Sequence, residues 1–440
     1  MKLVYNVQEK PPLKKNLVYA LQQLLAIMAA TLLVPVLVDP TGTYMSQSAA
    51  LLGAGVGTIF YIFVTRKKSP VFLGSSFAFI GPLCGAVAFG FLGIFLGAVF
   101  AGLVYVFIAL IIRRTGSGWV NKLLPPVVIG PTVALIGLSL CGSAMTNLTN
   151  TNGGADQYNL VHIAIGIFAF LVTVWASVRG GKRIRMIPFI IGIACAYVVA
   201  LVFTFIGRAT NNDYLKVINL AAFDSTSFFE IPNFTFLGMF KEGGSKIEKV
   251  SQVFNIFVLF APVAFVVLAE HIADHKNLGS IIDRDLITDP GLHRTLIGDG
   301  VGSILGSFFG GCPNTTYGES VGCVAITGNA SVSTILIAAC YCIALAFISP
   351  FTDFVNSIPS CITGGVCIAL YGFIAVSGLK MLHPVDLGKN RNLFVVAAIL
   401  VTGIGGLTLN LGPVTISSIA TALILGIIVN VVFNRETDEN

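Results

Sequence analysis

The sequence predicts an all-α polytopic membrane protein of fourteen transmembrane segments, arranged as a 7+7 inverted repeat, with short half-helices and extended strands in segments 3 and 10. Three observations carry that prediction. Hydrophobic residues make up 55% of the 440-residue chain and charged ones 10%, against roughly a quarter charged in a soluble domain. The mean hydropathy is +0.88, and it comes in long runs rather than the short alternating strands of an outer-membrane barrel. Finally, two apolar segments are too short and too polar to be ordinary spans.

Twelve runs are long enough to cross about 30 Å of hydrocarbon. They fall near residues 17–38, 47–65, 88–112, 123–145, 159–178, 187–207, 251–273, 293–311, 331–350, 357–379, 392–410 and 415–433. The two marginal segments, 70–87 and 312–329, are each interrupted by Gly, Pro, Ser or Thr. Basic residues collect on the cytoplasmic side of a membrane protein, which tests the count. With the N-terminus inside, fourteen crossings place Arg66-Lys67-Lys68, Arg113-Arg114, Arg179 to Arg185, Lys276 to Arg294, Lys380 to Arg391 and Arg435 inside, and leave the outer loop 146–158 without Lys or Arg. Both termini are then cytoplasmic. The outer loop 208–250 departs from the rule, with Arg208, Lys216, Lys241, Lys246 and Lys249 beside a Phe-rich stretch, Phe223–Phe240.

The marginal segments echo one another. Gly74-Ser75-Ser76-Phe77 precedes one helical run, and Asn314-Thr315-Thr316-Tyr317-Gly318 precedes another 240 residues on. Pro126 to Gly130 similarly echoes Pro359 to Gly364. Two halves of seven spans must enter the membrane from opposite sides, the inverted-repeat architecture of secondary transporters with substrate near the midplane.

The net charge of +6 is spread through loops, so no nucleic-acid partner is expected and the lipid bilayer is the surrounding medium. The nine cysteines lie in apolar stretches without a C-x-x-C, which reads as buried small hydrophobes. Lys2, Lys10, Lys14 and Lys15 lead directly into a full-length span, so no cleavable signal is expected.

A carboxylate at membrane depth is costly unless a cavity or partner receives it, which makes such residues functional candidates. Glu270 ends the apolar run Phe254 to Ala269, and Glu319 lies inside the second marginal segment. Extended backbone at 72–77 and 313–317, Ser76 included, is tolerated at that depth only where it lines a cavity or packs in protein. N–H groups there, together with half-helix N-termini, form a donor site for carbonyl oxygens, while ionised Glu270 and Glu319 only accept. A small planar ring offering both N–H and C=O, such as a nucleobase, matches both sets. Asp274 shares a helix face with Glu270, and two acids this close disfavour joint ionisation. A proton held between them suits a proton-coupled carrier; capping a helix or facing water is the alternative for Asp274.

Other polar residues read less sharply. His271 and His275 stand four apart, but H-E-x-x-H order is absent and Lys276 follows, so no metal is expected. His271 is expected to pack or support the site, and His275 to sit in the membrane interface. Asp299 either meets water or bridges to the site helix. Gln22 and Gln23, in the first span, either hydrogen-bond between helices or line the cavity.

At these residues the chain resembles the nucleobase–ascorbate transporter family (nucleobase:cation symporter-2). The likeness covers nearly the whole chain and is densest in Leu73 to Ile80, Ala269 to His275 and Asn314 to Glu319. The family signature appears as Glu319-Ser320-Val321-Gly322 followed by Thr327-Gly328. The resemblance implies a core domain over 1–112 and 251–350 and a gate domain over 113–250 and 351–440. It implies substrate between the half-helices of segments 3 and 10 and the helix of segment 8. Glu270 and Glu319 would accept ring N–H groups, backbone N–H groups around Phe77, Gly318 and Glu319 would meet carbonyls, and Ser76 and Tyr317 would belong to the same substrate-binding set. Glu at 319 resembles uracil-type members, where purine members commonly have Gln. Ser320 stands where Asn is usual, Gln23 where His is frequent, and Asp274 where some members carry a proton-handling His. Proton symport without a cofactor, a bacterial inner-membrane location and a homodimer are further implications. The competing readings are a purine or xanthine symporter of the same family, and an anion transporter of the same fold. The latter calls for a basic residue near the segment-10 half-helix, where this chain has Gly328. A membrane enzyme lacks a nucleophile–base pair.

Overall fold

The computed structural model describes residues 3–149, 158–181, 184–223, 227–240, 246–411 and 414–433. Residues 150–157 of the predicted outer loop, Lys182, Arg183, Lys241 and the tail with Arg435 lie outside the described residues. The protein is mostly helical. The first part of the chain runs α1 (Leu13–Val38), α2 (Gln47–Val64), β1 (Leu73–Ser75), α3 (Ile80–Ala86), α4 (Gly90–Thr115), α5 (Gly118–Leu123), α6 (Pro126–Ser139) and α7 (Cys141–Thr149). Next come α8 (Leu160–Arg179), α9 (Pro188–Ala209), α10 (Val250–Ile282), α11 (Leu292–Phe308), β2 (Asn314–Thr316), α12 (Gly318–Thr327) and α13 (Val332–Leu345). The chain closes with α14 (Ser349–Asn356), α15 (Ser360–Lys380), α16 (Asn390–Ile404), β3 (Leu409–Leu411), β4 (Val414–Ile416) and α17 (Ser418–Val432).

Among the described residues, eight helical stretches are long and apolar enough to cross a bilayer, and α13, α16 and α17 are shorter apolar helices. Several expose large apolar side chains at helical spacing: Leu103, Phe107 and Leu110 on α4, and Val198, Val202 and Phe205 on α9. A stripe of that kind is stable facing lipid and costly facing water. Helix starts follow local chemistry. Ser46 Oγ accepts from Ala49 N at 3.1 Å at the head of α2, and Asn159 Oδ1 accepts from Val161 N at 2.8 Å at the head of α8, as capping residues do.

The contacts divide the chain into two compact units: Met1–Ile136 with Pro232–Ile343 and Ile374–Asn440, and Gly137–Ile231 with Ala344–Phe373. In the second unit α8 packs on α9 around a core that includes Ile165, Ala169, Ala196, Ala200 and Val366. There the buried Tyr197 hydroxyl meets Ser357 Oγ at 2.6 Å.

In the first unit α11 packs against both α2 and α4, and α10 against α4. The approach of α2 to α11 depends on glycine: a Cβ at Gly53 would stand 2.7 Å from Gly306 Cα. The two marginal segments are the centre of this unit. Each begins as a three-residue strand, and the strands pair antiparallel in the register Leu73↔Thr316, Gly74↔Thr315 and Ser75↔Asn314. Ser76 N donates to Pro313 O at 2.9 Å, continuing the ladder. β1 leads into a 3₁₀ turn, Phe77–Phe79, and then α3; β2 leads into α12.

Three expectations are corrected. The predicted span 331–350 is broken, because α13 stops at Leu345 and a new helix starts with Ser349-Pro350. The run 392–410 ends as a helix at Ile404, and an antiparallel pair, Leu409↔Ile416 to Leu411↔Val414, follows. Of the cysteines, Cys312, Cys323, Cys342, Cys361 and Cys367 are buried, whereas Cys84, Cys141, Cys195 and Cys340 are exposed on helices; an apolar helix exposes part of its circumference, and small residues fall there too. His275 is buried within the protein at 1% exposure, and α10 continues seven residues beyond it, to Ile282.

Candidate functional site

The strand pair fixes two chain segments nose to nose, and side chains on the surrounding helices hold them. Leu73 N donates to Thr58 Oγ1 on α2 at 2.9 Å, and Ser75 Oγ donates to Thr31 O on α1 at 3.1 Å. Asn314 Nδ2 reaches Gly53 O at 3.0 Å and Gly302 O at 3.2 Å, so one amide joins β2 to α2 and α11. Ser303 Oγ also donates to Asn314 O. Tyr317 Oη donates to Ser75 O at 2.6 Å, crossing from the end of β2 to the end of β1. Gly74 is required beneath that ring, since a Cβ there would lie 2.4 Å from Tyr317 Cε2. Backbone with no room for other partners is thus satisfied inside the membrane span.

Both short helices begin without a side-chain cap: Ser76 precedes Phe77–Phe79 and Tyr317 precedes α12. The first N–H groups of a helix have no intrahelical partner, and the N-terminus carries partial positive charge. Ser76 Oγ and Gln22 Oε1 are buried without a hydrogen-bond partner among the described residues, a cost that proteins retain chiefly where a ligand or water is received. Phe77 is buried, and Phe79 stacks on Phe260 of α10 with ring centroids 5.7 Å apart, seating the 3₁₀ turn on that helix.

The acids converge on this junction. α10 contacts β2, α12 and the Phe77–Phe79 turn. Glu270 on α10 and Glu319 in the first turn of α12 lie close enough for their charges to interact. Asp274 Oδ2 accepts from Thr316 Oγ1 at 3.0 Å, and Asp274 Oδ1 lies 3.7 Å from where a Gly318 Cβ would be. Asp274 therefore stands at the head of α12. Asp299 bridges to the site helix: its Oδ2 is 2.6 Å from His271 Nδ1, and Thr315 Oγ1 lies 3.5 Å from the same oxygen. His271 Nε2 meets Thr295 Oγ1 at 3.0 Å. Both His271 nitrogens are thereby engaged within the protein.

Gln23 donates through Nε2 to Ser320 Oγ, and Phe72 N donates to the same oxygen at 3.0 Å. One hydroxyl thus joins α1, the lead into β1 and α12. Thr327 sits at the far end of α12, where Oγ1 donates to Cys323 O at 2.7 Å and accepts from Asn329 N at 3.2 Å. Gln22 and Gln23 point to different surroundings although adjacent, and Thr327 is apart from the acids' end of its helix. Sequence reading missed Thr58, Thr31 and Tyr61, for which polar residues in apolar runs were the available signal, and named Asn314 only as part of the interrupted segment.

A family model described as "Permease family" matches residues 14–412. The chain belongs to this family. It is the nucleobase–ascorbate transporter family that the motifs resemble. Among its relatives, a protein named uracil permease from Bacillus caldolyticus is 38% identical over 435 residues, covering 98% of this chain and 95% of the relative. A uracil permease from Escherichia coli (strain K12) is 33% identical over 431 residues, covering 97% and 93%. Solved structures share the fold at low identity. The transmembrane domain of a cyanobacterium bicarbonate transporter, BicA, superposes with a TM-score of 0.64 at 13% identity, covering 95% of this chain and 97% of that one. The murine anion transporter Slc26a9, in the inward-facing state, gives 0.69 at 13%, covering 97% and 69%. The chain is accordingly a multi-pass membrane permease.

Proposed function

We propose that this permease is a proton-coupled uracil symporter that imports the base by alternating access. The observation that carries the reading is the convergence of Glu270, Asp274 and Glu319 on two helix starts, without side-chain caps, that a strand pair holds together. Uracil presents two ring N–H groups and two carbonyls in one plane. Glu270 and Glu319 accept the N–H groups, and backbone N–H groups at Phe77, Gly318 and Glu319 meet the carbonyls. Ser76 and Tyr317 line the same junction, Gln22, Gln23 and Ser320 support it, and Thr327 acts only by closing the far end of α12. Full-length relatives named uracil permease support this substrate class.

Coupling follows from the acids. A neutral base binds to an ionised and to a protonated Glu270 with different strength, because only one form accepts without also donating. Asp274, one turn on, shares the proton with it. The fourteen segments then fall into a 7+7 inverted repeat, with core parts 1–112 and 251–350 and gate parts 113–250 and 351–440. The gate moves against the core in a bacterial inner membrane with both termini cytoplasmic, and two copies form the homodimer. Purified protein in vesicles tests the substrate and the coupling together. An acid-outside gradient drives accumulation of labelled uracil, and excess xanthine leaves it unchanged. Accumulation without any gradient, or displacement by xanthine but not by uracil, overturns the reading.

A further inference from the structure

Beyond the acids, α10 carries a second polar chain that uracil binding does not use. His275 Nδ1 is 2.7 Å from the carbonyl oxygen of His271. A carbonyl only accepts, so Nδ1 bears a hydrogen. On the other side, Nε2 is 2.6 Å from the Tyr61 hydroxyl of α2, and that hydroxyl is 2.8 Å from Ser69 Oγ. Tyr61 and Ser69 are both fully buried, and Ser69 lies four residues before β1. Tyr61 has one hydroxyl hydrogen for two neighbours. Turned to Nε2, it leaves a neutral imidazole. Turned to Ser69, it leaves Nε2 to donate to Tyr61, and the ring is then an imidazolium donating from both nitrogens. The same heavy-atom positions therefore accept two hydrogen-bond polarities that differ by one proton.

A cavity of about 350 Å³ opens at the C-terminal end of α10, and the buried His275 is among its lining residues, with Lys276, Gly279, Ser280 and Leu286. The ionisable groups facing the His275 ring are these. α2 offers Tyr61. α10 offers Asp274 and His271, whose ring stacks on that of His275 with centroids 4.1 Å apart. α11 offers Asp299, held by His271. The cavity rim offers Lys276, Asp283, Arg284 and Asp285. Burial of the ring and the stacked His271 oppose an imidazolium there, and carboxylate charge favours it.

We propose that His275 is a second proton-accepting position of the transport cycle, filled from this cavity, and that Tyr61 and Ser69 transmit its charge to α2 and to the lead into β1. One proton passes from cavity water to the imidazole and returns on release; no bond between heavy atoms changes. The proposal rests on the proton-coupled reading above. It is tested by the pH profile of uracil uptake into vesicles by the full chain, alongside uracil binding at one fixed pH. Each proton that must be gained contributes up to about tenfold per pH unit to the limb of the profile. His275→Gln is expected to lose one such step from the slope while still binding uracil, and Tyr61→Phe to move the midpoint of the limb. A His275→Gln profile that keeps the parent's slope and midpoint, merely scaled down, overturns the proposal and leaves a packing role. Where His275→Gln binds no uracil at all, Tyr61→Phe decides, and an unmoved midpoint overturns it. A parent without any pH limb overturns the coupling reading itself.

Discussion

Removing the Tyr317 hydroxyl isolates the bond that ties the two site segments together. Tyr317 Oη donates to Ser75 O at 2.6 Å, and both residues are buried. Tyr317→Phe keeps the ring that covers Gly74 and deletes only the donor. Ser75 O then loses that donor in a place water does not reach, at a cost of about 1–3 kcal/mol. The bond spans the ends of β1 and β2, immediately before the helix starts at Phe77 and Gly318. Its loss therefore falls on the spacing between the two sets of donors. Fully expressed in binding, the cost weakens uracil affinity by about 5- to 150-fold. Calorimetric titration of uracil into purified Tyr317→Phe protein measures this, with a thermal melt as control. An unchanged affinity with a lowered melting temperature refutes the reasoning, because the hydroxyl would then stabilise the fold without aligning the site.

Three further outcomes follow from the same geometry. Gly74→Ala drives a Cβ into Tyr317 and Thr31 and is expected to cost about 1–3 kcal/mol by overpacking, seen as a lowered melting temperature together with weakened uracil binding. Asp274→Asn retains an oxygen for the Thr316 hydroxyl but removes the charge, so uracil uptake is expected to lose pH dependence while binding persists; an unaltered pH profile contradicts the coupling role. Outside the membrane, bonds from the Asn6 side chain and backbone to Glu9, at 3.0 and 2.8 Å, hold its carboxyl below the usual range. A lowered folded value contributes stability above the unfolded value, roughly 4.3, and loses it as pH falls through the folded one. The N-terminal segment, whose Tyr5 O accepts from Ala330 N at 3.0 Å, is therefore expected to exchange its Ala330 amide faster at low pH, after correction for intrinsic rates, and Glu9→Gln to abolish the difference.

The interrupted segments were legible because Gly74-Ser75-Ser76 and Pro313-Asn314-Thr315-Thr316 break apolar runs that otherwise spell helix. Which residues face which across the strand pair was not, since partners 240 residues apart in sequence leave no local periodicity. Glu270, Asp274 and Glu319 stood out as acids among hydrophobes, and one helix turn placed the first two together. Asp299 was ambiguous for the opposite reason: its partner His271 lies on another helix, and α10–α11 packing decides the matter. The contact of His275 with Tyr61 was not legible either, because it joins α10 to α2 across 214 residues of sequence. The Leu409–Ile416 pair could have been found. Leu409-Asn-Leu and Val414-Thr-Ile alternate around Gly412-Pro413, the pattern of a hairpin, but the apolar runs on both sides absorbed it.

The most direct measurement is uracil affinity of purified protein across pH, parent against Glu270→Gln. A permanently neutral side chain at 270 is expected to bind uracil with an affinity that no longer follows the parent's pH dependence. Identical curves for the two proteins contradict the account, because a carboxylate that meets the base cannot be silent to its own charge.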